Sequence, residues 1–318
     1  MGNPTAGRVV IAVLTSKRPG GIVTALAALD AQVSGDGRMV QIPVIDNDPL
    51  AGAQPTVESL GHDHIRYVHE PKPGTAAARN RALTESHDAP LLIVVDDDET
   101  PSEHWLRSLL ATYDLTRAAA VVGPVISEFP FEPDAWMRGG RFFDRRRMPT
   151  GTVVTAAATN NLLLDLNQLR AMNLSFDERY GLSGGSDTLF TCQIVIAGDR
   201  MVWCDEAAVA DRVPAERMSR DWVLRRAFQS GDSSSRTNLE LSSGLRRSCI
   251  RARSTGQGVL RVGGGTTQLG LGLISRNIAH RAHGTRTVAR GAGLMARALG
   301  HVHSEYSRTP PRETELTR

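Results

Sequence analysis

Cysteine is scarce in this chain of 318 residues: Cys192, Cys204 and Cys249 are widely spaced and odd in number. They build neither a disulfide framework nor a zinc site, so a reducing compartment is the default expectation. Long apolar runs are missing as well. No window approaches the ~18–20 apolar residues of a membrane-spanning helix. The N-terminal MGNPTAGRVVIAVLTS has no charged stretch followed by a long apolar core, so no secretory signal is visible, and Gly2 completes only a fragment of a myristoylation pattern. Acidic residues are absent between Glu240 and Glu305, and aromatics between Phe228 and Tyr306. Lysine is nearly absent too, Lys17 and Lys72 standing against 35 arginines, which says nothing about function.

What is present is ordinary for a globular chain: 41% hydrophobic and 22% charged residues exclude global disorder, collagen and coiled coil. The length suits one large domain, or one of roughly 200–250 residues with an appendage. The net charge of +3 hides a division. From residue 212 onward there are 19 arginines against 7 acids, while residues 1–211 hold 18 basic and 27 acidic groups. An acidic body with a basic tail implies two surfaces with different tasks.

Apolar, β-branched runs at Arg8–Leu14, Met39–Ile45, Ile65–Val68, Pro90–Val95 and Ala119–Ile126 read as strands. Helical spacing separates them, as in Ile22, Val23, Leu26, Leu29 and Val33, in Ala76–Ser86, and in Trp105, Leu106, Leu109, Leu110 and Tyr113. Thr100-Pro101-Ser102-Glu103 reads as the start of that last helix, with Thr100 as N-cap. The pattern predicts an α/β fold with a mostly parallel sheet. Further on, Thr155–Leu164 and Met201–Cys204 read as strands, 184–197 as a helix, and Arg220–Ser230 as a helix closed by Gly231. Two weakly apolar helical stretches follow, near Leu269–Ile278 and Val288–Leu299, in a segment whose glycines limit helix strength.

Ligands of such sheets gather at the carboxyl ends of the strands. Thr15-Ser16, Asp46-Asn47-Asp48 and Asp96-Asp97-Asp98 all fall there. On an extended strand Asp96 and Asp98 project together, with Asp97 opposite. Two hard oxygen donors at a sheet's mouth suit Mg²⁺ or Mn²⁺. A solvated acidic turn before a helix N-terminus is the plainer reading of the same residues.

VVIAVLTSKRPG, VIDND, IRYVHEPKPGTAAARNRAL, LLIVVDDDETPSEHWLRSLL, ATNNLLLD, FDERYGLSGGSDTLF and VPAERMSRDWVLRRAFQSG follow one another over residues 8–236. In that order they resemble the family 2 glycosyltransferases of GT-A fold. The resemblance implies a GT-A domain over residues 1–236, a Rossmann-like sheet flanked by helices, followed by a basic, largely helical extension over 237–318. It implies inverting transfer of a sugar from a nucleoside-diphosphate sugar, UDP first among the nucleotides, to a saccharide or lipid-linked acceptor, as in envelope polysaccharide synthesis. Within it, Asp98 resembles the metal ligand of the DxD motif and Asp96 lies nearer the ribose, with Asp97 in the same nucleotide-sugar block. Thr15 lines the nucleotide, Asp46 receives the base, and Gly74 and Arg79 flank the nucleotide pocket. Asp187 matches the catalytic base, and Trp222, Arg225 and Arg226 match the block that closes over diphosphate or acceptor.

Two departures stand out. Ser186 occupies a position where the family commonly has Glu, and Asp187 or Ser186 also reads as a helix N-cap. Asp211 stands where many relatives place a metal-binding histidine, and a pairing with Arg212 is the alternative. Lys17 or Arg18 is a candidate phosphate contact, and the Trp222-to-Arg226 spacing allows cation–π packing. Trp136 and Arg145-Arg146-Arg147 read as an acceptor-side loop or as one anchored by its tryptophan. The basic tail reads first as a contact with an anionic membrane surface, which would hold the enzyme at the inner face of the plasma membrane, in the cytoplasm. A packed helical cap or oligomer contact is the second reading. Nucleic acid is disfavoured by the missing aromatics. A nucleotidyltransferase, a non-catalytic nucleotide-sugar binder and a glycoside hydrolase are the rival functions; the first would need a glycine-rich loop that LTSKRPGG matches only loosely.

Overall fold

The computed structural model describes residues 7–33, 37–181 and 184–301. Gly2, Tyr306 and the rest of the tail beyond 301 lie outside the described residues, as do 182 and 183 of the FDERYGLSGGSDTLF block. The first half alternates as expected: β1 (Arg8–Thr15), α1 (Pro19–Val33), β2 (Met39–Asp46), α2 (Gln54–Ser59), β3 (Ile65–His69), α3 (Thr75–Glu85) and β4 (Leu91–Asp96). The chain continues through β5 (Glu99–Pro101), α4 (Trp105–Thr116), β6 (Ala120–Val122), β7 (Val125–Glu128), α5 (Ala135–Gly139), β8 (Val153–Val154), β9 (Asn161–Asp165), α6 (Leu166–Met172), α7 (Ser186–Ile196), β10 (Met201–Trp203) and β11 (Val209–Arg212). Three long helices close it, α8 (Arg220–Glu240), α9 (Gly244–Ile274) and α10 (Ile278–Ala298).

Eight strands form the main sheet in the order β3-β2-β1-β4-β9-β6-β10-β8. β1 pairs in parallel with β2 and β4, whereas β9 enters antiparallel between β4 and β6. Both faces are covered, which is why β1 is apolar at nearly every position. Val9, Ile11 and Val13 meet Ile22, Leu26 and Leu29 of α1 and Trp105, Leu106, Leu109 and Leu110 of α4. Val10, Ala12 and Leu14 meet the alanines of α3 with Leu166, Leu169, Phe190 and Ile194. A second sheet, β5-β11-β7, sits beside the ends of these strands.

Five expectations need correction. Thr100 and Pro101 are not a helix start: they lie in β5, paired antiparallel with Ala210 and Val209, and the helix begins at Trp105 behind His104. Pro101 is tolerated because β5 is an edge strand. The run 119–126 is two strands in two sheets, divided at Gly123-Pro124, and the predicted strand from Thr155 begins only at Asn161. β4 ends at Asp96 and the chain turns at 97–98, so strand alternation is not what orients the three aspartates. Finally, the helix expected to stop at Gly231 runs on through it as α8 to Glu240.

The tail is a helical bundle in which α10 packs against α9, α8 and α5. Its glycines form the seams. Gly258, Gly265 and Gly272 recur every seventh residue on α9 and are buried. A Cβ on Gly265 would lie 2.8 Å from the Gly284 carbonyl oxygen, and one on Gly258 would lie 2.9 Å from that of Gly291. Between α8 and α10, a Cβ on Gly231 would meet the Arg290 carbonyl at 2.1 Å, and one on Gly293 that of Phe228 at 2.0 Å. Glycine costs each helix about 1 kcal/mol per position, and here backbone-to-backbone packing offsets it. Arg297 pairs with Asp232 across the same seam, buried and bidentate at 3.0 and 2.7 Å.

Candidate active site

Parallel pairing of β1, β2, β3 and β4 brings Thr15, Asp46, His69 and Asp96 to one edge. Asp97, just past β4, turns inward: it is buried, accepts a 2.6 Å hydrogen bond from the Thr15 hydroxyl, and receives Arg18 at 3.4 Å. Arg18 also forms an ion pair with Asp98. Thr15 and Asp97 thereby fasten the end of β1 to the β4 turn, and Asp98 is left partly open beside Asp96.

Asp96 is the electrostatic centre. Its carboxyl is raised to about 7: burial is the largest cause, Arg79 opposes it, and the charges of Asp98, Asp97 and Asp187 add to it. Asp187, 89 positions further along the chain from Asp98, is thus near enough for its charge to act on Asp96. Contacts between α3 and the segment entering α7 bring this about. Asn80 and Phe176 exchange hydrogen bonds of 2.9 and 2.8 Å, Thr75 N donates to Gly181 O at 3.2 Å, and Arg79 Nη1 donates to Ser186 Oγ at 2.8 Å. Gly74, at φ 123°, sits against the Gly181 backbone, where a Cβ would come within 3.2 Å. The N-cap of α7 is Gly185, at φ 87°, not Ser186 or Asp187. Asp187 lies in the first turn, half-buried, its Oδ1 accepting from Thr188 N at 2.8 Å.

Asp211 reaches the same place from β11, paired in register with Glu99. Burial raises its carboxyl, Arg145 lowers it, and Asp98 raises it again. Its ion pair is with Arg145 of the long loop; Arg212 beside it is exposed. Glu99 is buried below, pushed well up by burial and then by Asp96, accepting from Asn160 Nδ2 and, at 3.3 Å, from Asp96 N. Neither Glu99 nor Asn160 was singled out from the sequence as a site residue, although both stand within the quoted blocks. The carboxylates are answered by Arg18, Arg79 and Arg145; Asp98, Asp96 and Asp211 are the residues that would hold a hard divalent cation, although their oxygens do not gather within 4.8 Å of one another here.

Asp46 stands apart from the trio. Its carboxylate is fully buried and accepts from Asp48 N at 2.9 Å, Ala53 N at 3.0 Å and Tyr67 OH at 3.2 Å. It shapes the loop after β2. Asn47 extends that work, donating to Glu70 O and Lys72 O and accepting from Gly74 N at 2.8 Å.

The comparisons with known proteins concern the family and the fold. Residues 9–166 match the family model "Glycosyl transferase family 2". The succinoglycan biosynthesis protein ExoM of Rhizobium meliloti is 34% identical over 240 residues, 74% of this chain and 77% of that protein. The chain belongs to glycosyltransferase family 2. A pre-mycofactocin glycosyltransferase of Mycobacterium tuberculosis is 26% identical over 218 residues, 67% of this chain and 43% of the relative. Among solved structures, residues 1–349 of S. aureus TarS align with a TM-score of 0.51 at 14% identity, covering 92% of both chains. GalNAc-T7, solved with UDP, GalNAc and Mn²⁺, aligns with a TM-score of 0.52 at 13% identity over 73% of this chain and 51% of that one. At such identities the likeness concerns the fold, which is GT-A.

In this glycosyltransferase the Trp/Arg block opens α8. Trp222 stacks on Phe143 at 6.4 Å, and the guanidinium over its ring is that of Arg217, at 5.7 Å. Arg225 and Arg226 are exposed, and Arg225 lines an open depression with Asp221, Leu224 and Phe228. Trp136 is buried and stacks on Phe142 at 4.8 Å, so it anchors the long loop. Arg147 chelates Asp205 at 2.7 and 2.6 Å.

Proposed function

We propose that this glycosyltransferase moves a sugar, with inversion, from a UDP-sugar to a saccharide or lipid-linked acceptor, assisted by Mg²⁺ or Mn²⁺. The observation that carries the reading is Arg79, whose charge acts on Asp96 while its Nη1 donates to Ser186 Oγ, the neighbour of Asp187. TarS has been solved with UDP-GlcNAc and GalNAc-T7 with UDP and Mn²⁺, which supports the donor class and the metal; ExoM, named for succinoglycan biosynthesis, supports a glycan acceptor.

Asp187 takes the proton of the acceptor hydroxyl as its oxygen attacks the anomeric carbon. The bond from that carbon to the diphosphate breaks from the opposite face, and the diphosphate leaves with the electron pair. A bound cation, held by Asp98, Asp96 and Asp211, would supply positive charge opposite the departing phosphates. Arg79, buried beside Asp96, adds a fixed cation that needs no reorganisation. The loop shaped by Asp46, with Thr15 and Gly74, borders the nucleotide. Trp222 and the exposed Arg225 and Arg226 face the acceptor or the diphosphate.

The catalytic unit ends within α8, and the bundle of α8, α9 and α10 is a platform. We assign its outer tip to an anionic membrane surface at the cytoplasmic side. Leu271, Leu273, Ile274 and Ile278 are exposed at the turn between α9 and α10, amid arginines and no acid. No helix among the described residues is long and apolar enough to cross a bilayer, so the contact would lie in the interface.

A thermal-shift and calorimetry panel of nucleotide sugars with and without Mn²⁺ tests the reading. UDP-sugar binding that requires the cation, is lost in Asp98→Asn and persists in Asp187→Asn without transfer is expected. Cation-independent binding, or full transfer by Asp187→Asn, refutes it.

A further inference from the structure

Away from the crevice, Asp30 in the last turn of α1 stands beside His62 and His64 in the segment joining α2 to β3. Asp30 Oδ1 lies 2.8 Å from His64 Nε2 and 3.5 Å from His62 Nδ1, and the two imidazole rings are 5.5 Å apart. One oxygen and two ring nitrogens thus converge, all within 4.8 Å of one another. Ligand atoms around a tetrahedral Zn²⁺ at ordinary bond lengths are separated by about 3.3 Å, and the two measured oxygen–nitrogen edges bracket that value.

A charged pair between Asp30 and a histidine is the simpler account, and one atom speaks against it. His64 Nε2 is shielded from solvent and makes no hydrogen bond, although Asp30 Oδ1 is within range. Its direction is wrong for donating a proton to that oxygen. An ion between the two groups satisfies both lone pairs at once. The scaffold is firm: Ile42 N of β2 donates to His64 O at 2.7 Å, and Ile65 N to His62 O at 3.1 Å. Two imidazoles with a carboxylate suit Zn²⁺ better than Mg²⁺, which prefers an all-oxygen shell.

We propose that Asp30, His62 and His64 form a second metal site, for Zn²⁺, completed by water and separate from the donor site. It lies just before β3, its nearest ligand His64 five residues ahead of His69 at the crevice edge, or about 17 Å along the strand. The ion ties the last turn of α1 to the start of β3, a stabilising clamp that touches no reacting group.

The test titrates Zn²⁺ alone into the metal-stripped full chain by calorimetry, with wild type, His62→Ala, His64→Ala and Asp98→Asn in parallel. The wild type and Asp98→Asn are expected to bind one equivalent that both histidine variants bind at least tenfold more weakly. Zn²⁺ should raise Tm in the first pair and not in the second. Circular dichroism without metal checks that each variant is folded, and the partly exposed His62 can be removed even if His64→Ala perturbs β3. Transfer activity with Mg²⁺ should be unchanged in His62→Ala. Absence of Zn²⁺ binding by the wild type overturns the site, as does wild-type affinity in both histidine variants.

Discussion

Arg79 Nη1 donates a 2.8 Å hydrogen bond to Ser186 Oγ, and both side chains are buried. A serine hydroxyl answers the guanidinium's geometry but not its charge. The charge is left to Asp96, whose carboxyl Arg79 pulls down against burial and three neighbouring acids. Arg79 Nε has no hydrogen-bond partner although it is buried. Arg79 is a fixed cation between the aspartate cluster and the first turn of α7. Glu in place of Ser186 would spend that charge locally.

Arg79→Ala and Ser186→Ala therefore separate charge from geometry. Removing a fixed cation that meets charge developing in the transition state costs roughly 10²–10³ in rate. Losing the hydrogen bond from the guanidinium to the neutral Ser186 hydroxyl costs about 1.5 kcal/mol, roughly tenfold, and leaves the cation in place. The expected result is a fall in kcat/KM of about 10² or more for Arg79→Ala and of about tenfold for Ser186→Ala. Steady-state kinetics with one donor checks it, and equal losses would assign the effect to the hydrogen bond alone.

Much of the sheet was legible because buried parallel strands are apolar on both faces; β1, β2 and β4 could be read directly from VVIAVL, VQIPVI and LLIVV. The aspartates were legible because strand ends collect ligands. What was hidden is long-range. The run 119–126 read as one strand, but it changes sheets at Gly123, where a Cβ would strike Ala207 O at 2.2 Å and Asn161. Asp211 found its partner in Arg145, far from it in sequence, and not in its neighbour Arg212. Gly231 looked like a helix stop because local propensity says so, and the packing of α10 overrides it. The seven-residue spacing of Gly258, Gly265 and Gly272 was a signal available in the sequence, and it marks the seam.

The glycines of the bundle divide into two kinds with opposite expectations. Gly231→Ala forces a methyl into the Arg290 carbonyl at 2.1 Å, so it is expected to destabilise by about 1–3 kcal/mol, the usual cost of overpacking. Gly263→Ala, inside α9 and with nothing within 4 Å of its Cβ, is expected to stabilise by about 0.5–1 kcal/mol through helix propensity. Urea unfolding followed by circular dichroism measures both. Loss of stability in Gly263→Ala would contradict the packing assignment.

Asp205 offers a pH test away from the site. The hydrogen bonds from Arg147 hold its carboxyl down at about 2, aided by Trp203 and opposed by burial. A depressed folded value means that the pairing stabilises the protein above the unfolded carboxyl's pKa of about 4 and is lost as pH falls through the folded value. The stability gap between wild type and Asp205→Asn should be full at pH 6 and shrink between about 4 and 2. Because the pair is partly solvent-exposed, the gap should stay below about 1 kcal/mol. Chemical denaturation across that range measures it, and a gap that widens toward acid would reverse the assignment.

The tip of the bundle carries the last expectation. Ile274 is 84% exposed and Leu271 and Leu273 are each 55% exposed. Burying such side chains in the interfacial layer gains roughly 25 cal/mol per Å² of apolar surface, and the arginines add attraction to anionic headgroups of about 1 kcal/mol each near the surface. The two contributions respond differently. Leu271→Ser with Ile274→Ser should reduce binding to vesicles of mixed phosphatidylglycerol and phosphatidylcholine at any salt, by about tenfold or more. Raising salt from 0.1 to 0.5 M should weaken the wild type and leave the apolar difference between the two proteins in place. Cosedimentation reads both effects. Transfer to a short soluble acceptor should be unaffected by the serine substitutions, because the tip stands outside the crevice; binding that survives them and high salt together would remove the membrane from the role of this hairpin.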